Sequence, residues 1–219
     1  MESAISSKEI KIYRILRLLA MVCWLGSIAL FVIHIVSCFV DTIEPVFYEN
    51  TLIPSKAAYV TITFLQWLIM SILYGLSGYA VMKTNVKILR FISIIAVVIQ
   101  VMVCIYYYNY SSGRIIEGAF WGIILLLSWI WLANIKKEDG RMVRFYLMIP
   151  LIMGFAVTCL WNPLSVDKNT SVWNHIEILS FYIQWILRSG IVLFTGLWLM
   201  LLTYEKNNET IVITVKQDR

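Results

Sequence analysis

The sequence predicts an all-α membrane protein, a six-helix transmembrane bundle with both termini cytoplasmic. Three observations predict it. First, 60% of the 219 residues are hydrophobic and the mean hydropathy is +0.79, against roughly 45–50% apolar residues in soluble domains. Second, six apolar stretches lie near residues 18–40, 57–82, 88–107, 115–135, 145–161 and 178–204, close to the ~20 residues that cross a hydrocarbon core of ~30 Å. Third, the basic residues alternate between successive connections. Of 18 Lys and Arg, fourteen fall in the N-terminal arm, in or beside the second and fourth connections, and in the tail. Only Lys56, Arg114 and Lys168 fall in the first, third and fifth connections, and Arg188 lies within a span. Cytoplasmic loops retain Lys and Arg during insertion, which orients the chain N-in and C-in.

Each element follows in chain order. Residues 1–17 form a basic arm in which Lys8, Lys11, Arg14 and Arg17 recur every three residues, with Ile12, Ile15 and Leu16 elsewhere on the helix surface. That pattern suits a helix lying in the cytoplasmic interface before it turns into the first span. The first span carries Ser27, His34 and Asp41 at seven-residue spacing, and its end, Ile35-Val36-Ser37-Cys38, resembles a bacterial lipobox. In the second span Thr63, Gln66, Tyr74 and Ser77 lie near one stripe, and Ser71 with Gly75 forms a small-residue pair. The connection from Lys83 to Lys87 is so short that the second and third spans must be antiparallel neighbours.

The third span repeats Ser93, Gln100 and Tyr107, and the fourth carries Glu117 beside the pair Gly118 and Gly122, whose spacing suits close helix packing in lipid. A short connection, Lys136 to Arg144, pairs the fourth span with the fifth. The fifth is interrupted by Pro150 and Gly154, so a bend is expected. On the sixth span Glu177, Gln184, Arg188 and Thr195 are separated by seven, four and seven residues, which sets them on one face. The tail, 205–219, contains Ile211, Val212, Ile213, Thr214 and Val215, strand-like in composition. Trp131 and Tyr204 are expected at the inner interface, and Trp161, Trp173, Tyr48 and Tyr59 at the outer one.

The charge alternation also serves as a depth scale. Arg188 stands sixteen residues from Tyr204, or about 24 Å at ~1.5 Å per residue. His34 and Gln66, counted from Arg17 and Lys83, stand at about 25 Å. Glu117 is slightly higher and Gln100 somewhat deeper. An arginine within a span is costly unless it pairs, faces a cavity or snorkels to the headgroups. Polar stripes on membrane helices face the bundle, so the expected ligand-binding residues are Arg188, Gln184, His34, Gln66, Glu117, Glu177 and Gln100. They would line a polar pocket opening outward, with Arg188 as anchor and Glu117 or Glu177 as counter-charge. The competing reading lets Arg188 snorkel outward, because helix side chains lean toward the N-terminus.

Function is read by class. Small-solute or ion transport or binding through that pocket leads; the alternative is a non-catalytic accessory, sensor or structural subunit of a membrane complex. An intramembrane enzyme ranks last, since no paired-carboxylate, H-E-x-x-H or Ser/His signature occurs. No metal or cofactor is expected: there is no C-x-x-C or Cys/His cluster, and His34 and His175 lie on distant segments. The expected partners are the lipid bilayer, a small anionic solute and, on the alternative reading, a helix-packing membrane protein. Nucleic acid is not among them, because the +5 net charge follows topology rather than a binding motif. Cys38, Cys104 and Cys159 fall in the outer half, where packed thiols are favoured over a bridge.

Overall fold

A computed structural model of the chain describes residues 7–37, 56–106, 111–134, 148–154, 156 and 172–217. These form six helices, and there is no strand among the described residues. They are α1 (Ser7–Ser37), α2 (Lys56–Met82), α3 (Val86–Tyr106), α4 (Ser111–Asn134), α5 (148–154) and α6 (Val172–Gln217). Five of them contain stretches long and apolar enough to cross a membrane: Lys11–Val36, Val60–Met82, Val86–Ile105, Ile115–Ala133 and Tyr182–Leu202. Most of the fifth expected span, 145–161, lies outside the described residues, as do Asp41, Tyr107, Lys136 to Arg144 and Cys159. The bend expected around Pro150 and Gly154 is therefore described only as far as α5, which is helical through both residues.

The long helices close into a ring in the order α1, α2, α3, α4, α6, with α6 returning to α1. α5 lies in the groove between α4 and α6: Gly154 approaches Ile123 and Val192, and Leu151 lies against Gly196, which Leu127 also approaches. α1 makes its broadest contact with α6, and glycine sets how close they come. A methyl group at Gly190 would lie 2.7 Å from Cys23 Sγ, inside van der Waals contact. Small residues let helix backbones approach in this way.

The turn between α2 and α3 is tight. Thr84 takes a left-handed backbone, φ 55°. Asn85 N–H donates to Ala80 O at 2.8 Å and Thr84 N–H to Val81 O at 3.2 Å, which caps the end of α2 in a Schellman motif. The Asn85 side chain then accepts from Ile88 N–H at 3.1 Å and caps the start of α3. The expected antiparallel pair results.

Three expectations meet a different structure. The basic arm does not turn before the first span. Ser7–Ser37 is one continuous helix, because nothing between Lys8 and Leu18 breaks it, and Arg17 donates to the Met82 carbonyl at the end of α2. The tail is helical rather than strand-like. α6 runs unbroken through Ile211–Val215, since a continuing helix satisfies its own backbone while a lone strand would have nothing to pair with. Trp131 is buried in the core rather than set in an aromatic belt. It continues the inward stripe Glu117, Trp121, Ile124, Ser128, whose alternating steps of four and three hold one helical face; its neighbour Trp129 is the exposed one.

Helix lengths make one end of the bundle distinct. α1, with 31 residues, extends about 46 Å, and α6, with 46 residues, about 69 Å. The two run antiparallel, so α1's N-terminal turns and α6's C-terminal turns project at the same end. Lys11, Arg14, Arg17 and Lys83 gather there, and Lys83 lies over the Tyr79 ring at 5.9 Å.

Candidate functional site

Each described polar stripe turns inward. Ser27 and His34 on α1, Thr63, Gln66, Tyr74 and Ser77 on α2, Ser93 and Gln100 on α3, Glu117 and Ser128 on α4, and Gln184, Arg188 and Thr195 on α6 are all buried. The opposite faces are apolar and exposed: Val32 and Val36, Leu65 and Ile72, Val98 and Val101, Ile183 and Ile186. Three serine hydroxyls are satisfied locally. Ser27, Ser77 and Ser93 each donate to the carbonyl four residues back, at 2.8–2.9 Å. They need no partner across the bundle. The longer polar groups do.

Those longer groups share one level. Arg188 Nη2 lies 3.2 Å from Glu117 Oε2, with side-chain exposures of only 9% and 3%. The guanidinium carbon is also 5.4 Å from the centre of the Trp185 ring. On the other carboxylate oxygen, the Tyr74 hydroxyl donates to Oε1 at 3.4 Å. One turn away on α6, Gln184 Oε1 lies 3.1 Å from His34 Nε2. The His34 ring stacks on Trp67 at 4.6 Å and 23°. Across the layer, Gln100 Nε2 donates to Met70 Sδ at 3.5 Å, and Gln100 Cβ packs 3.5 Å from where a Cβ would stand at Gly118, next to Glu117.

The structure thus joins Arg188 to Glu117 and His34 to Gln184, and it packs Gln100 against Gly118, the residue after Glu117. Gln66 is buried one residue from Trp67 and one turn from Met70. The Glu177 side chain, and with it the second choice of counter-charge, lies outside what is described, as does that of His175. Residue spacing did not single out Trp67, Met70 and Trp185 as site neighbours. Tyr74 it did place on the inward stripe with Gln66, though not among the expected ligand-binding residues. The other aromatic and thioether groups carried no signal that separated them from ordinary core.

Several buried polar atoms of this layer have no hydrogen-bond partner among the described residues: both amide atoms of Gln66, Oε1 of Gln100, Nε2 of Gln184 and Nε of Arg188. Leaving a buried donor or acceptor unsatisfied costs about 1–3 kcal/mol each. A chain selected for stability alone would place Leu or Met there.

Toward the basic end the layer is closed by aromatic rings. Trp24 meets Tyr74 at 5.1 Å and Trp121 at 5.3 Å, and Tyr74 meets Trp121 at 5.3 Å and Phe31 at 4.9 Å. Trp24 Nε1–H donates to Thr195 Oγ1 at 3.2 Å, tying this plug to α6. The polar layer therefore sits nearer the end opposite the basic residues. No protein-family model, curated protein or solved structure matches the chain.

Proposed function

We propose that this is a six-span membrane protein, N-in and C-in in the cell membrane, that binds and transports a small polar solute through its inter-helix polar layer. The observation that carries the reading is that the buried side-chain amides of Gln66, Gln100 and Gln184 hold atoms with no partner among the described residues, in the same bundle interior as the buried Arg188–Glu117 pair. Binding sites tolerate such groups because the ligand, rather than the protein, completes their hydrogen bonds. The exposed apolar faces of α1, α2, α3 and α6 suit a lipid surround, and the basic ends of α1 and of the α2–α3 turn suit the cytoplasmic side. The layer is enclosed in this conformation. With the aromatic plug on the basic side, the solute on this reading enters from the outside, by a parting of the outer helix ends, and passes inward when the plug parts.

The experiment is a thermal-shift screen of purified wild type and Arg188→Ala against organic anions, amino acids, sugars and lipids. At least one compound should stabilise the wild type and not the variant. Equal responses throughout would remove Arg188 from the site.

One observation favours the accessory-subunit reading. A methyl group at Gly122 would meet no described atom within 4 Å, which is the space a helix from another protein would take on this reading. A stoichiometric partner that co-purifies with wild type and is lost in Gly122→Leu would support that reading; a ligand-binding monomer would displace it.

A further inference from the structure

The charge balance of the layer points to its ligand class. Arg188 does not stand alone: its charge is met by Glu117 at 3.2 Å, both groups being almost fully enclosed. A simple anion entering here would add one uncompensated negative charge to a low-dielectric site, which is strongly unfavourable. The lone-arginine argument for an anionic solute therefore loses its force once Glu117 is in place.

Resting on the solute-site reading, we propose that the layer binds a zwitterion, a small solute with one anionic and one cationic group. Such a molecule separates the ion pair without changing the net charge. Its anionic end takes Arg188, whose Nε has no partner. Its cationic end takes Glu117, which the Tyr74 hydroxyl holds from the other carboxylate oxygen. All four charges then remain paired. The free amide atoms of Gln66, Gln100 and Gln184 supply both donors and acceptors for the rest of the polar surface. A sugar would satisfy those amides equally well but would leave the ion pair without a role. A lone cation fails for the same reason as a lone anion.

The test uses matched fragments on the full-length protein in detergent, read as saturable shifts in melting temperature. The probes are glycine, β-alanine, γ-aminobutyrate and L-leucine, each beside the acid and the amine that lack the opposite charge. At least one amino acid should stabilise the wild type while its matched acid and amine do not. In Glu117→Gln the order should invert. The amino acid should lose about 10–100-fold in apparent affinity, the equivalent of one charge-assisted hydrogen bond, and the matched acid should gain by a similar factor because Arg188 is then uncompensated. Glu117→Asp, which keeps the charge, should retain the wild-type order, and it carries the comparison if Glu117→Gln does not fold. Stabilisation of the wild type by an acid alone, as strong as by its amino acid, overturns the zwitterion assignment and leaves the solute site standing. Stabilisation by sugars alone does the same. No response to any compound overturns both.

Discussion

Removing either member of the buried pair should cost far more than removing both. Arg188 and Glu117 are enclosed, with side-chain exposures of 9% and 3% at a separation of 3.2 Å, so water cannot take over from a lost partner. Breaking a buried pair by deleting one side costs about 3–5 kcal/mol, whereas replacing both sides with apolar groups of similar volume is often neutral or stabilising. Glu117→Leu and Arg188→Met should each fall in that range. For a chain of this size about 1 kcal/mol moves the midpoint by ~2–4 °C, so each single variant should melt roughly 6–20 °C below wild type. The double variant should lie within a few degrees of wild type or above it. Thermal unfolding in detergent, followed by tryptophan fluorescence, gives all four values for one double-mutant cycle. Two small, additive effects, each below about 1 kcal/mol, would refute the reasoning. They would mean that Arg188 reaches solvent or headgroups and that Glu117 does not need it.

The other predictions address separate links. Gln66→Leu should raise stability by about 1–3 kcal/mol, since both amide atoms are buried and unpartnered, and it should weaken any ligand-induced shift; lower stability would show that Gln66 has a structural partner. Thr84→Gly should stabilise by about 1 kcal/mol, because a β-branched residue holds the left-handed position at φ 55° that glycine adopts without strain, as a melting midpoint will show. Gly190→Leu should destabilise sharply, because even a methyl group there would lie 2.7 Å from Cys23 Sγ, and Cys23→Ala should relieve part of the loss.

Much of this arrangement was legible in the sequence because straight helices convert residue number into depth at a constant rise. Counting from the basic boundaries brought His34, Gln66 and Arg188 to one level, with Glu117 slightly higher and Gln100 deeper, and seven-residue spacing showed which faces turn inward. Partner choice was not legible. Glu117 and Glu177 stood as alternative counter-charges, and only the packing of α4 against α6 brings the Glu117 carboxylate to Arg188. The bond between His34 and Gln184 depends likewise on how α1 rotates against α6, which close contacts at Gly26 and Gly190 fix. The Gly118–Gly122 pair drew attention by its motif, yet Gly78, with Trp24 Cβ 3.2 Å from its missing Cβ, marks a closer approach without any motif. Trp131 was misplaced because its distance from the inner boundary suited a belt, whereas its face, shared with Trp121 and Ile124, decides its burial.

The central claim is the proposed one, that the polar layer, enclosed at rest, opens to small solutes from the end opposite the basic residues. The most direct measurement is thiol labelling in sealed vesicles of known orientation, using Gln66→Cys in a chain with its four native cysteines replaced by Ala. The account predicts that a membrane-impermeant, charged thiol reagent modifies position 66 from the outer face only, that a stabilising ligand slows the reaction, and that Leu65→Cys on the exposed apolar face stays unlabelled. Position 66 remaining unreactive from both faces, while a terminal control cysteine labels normally, would contradict it.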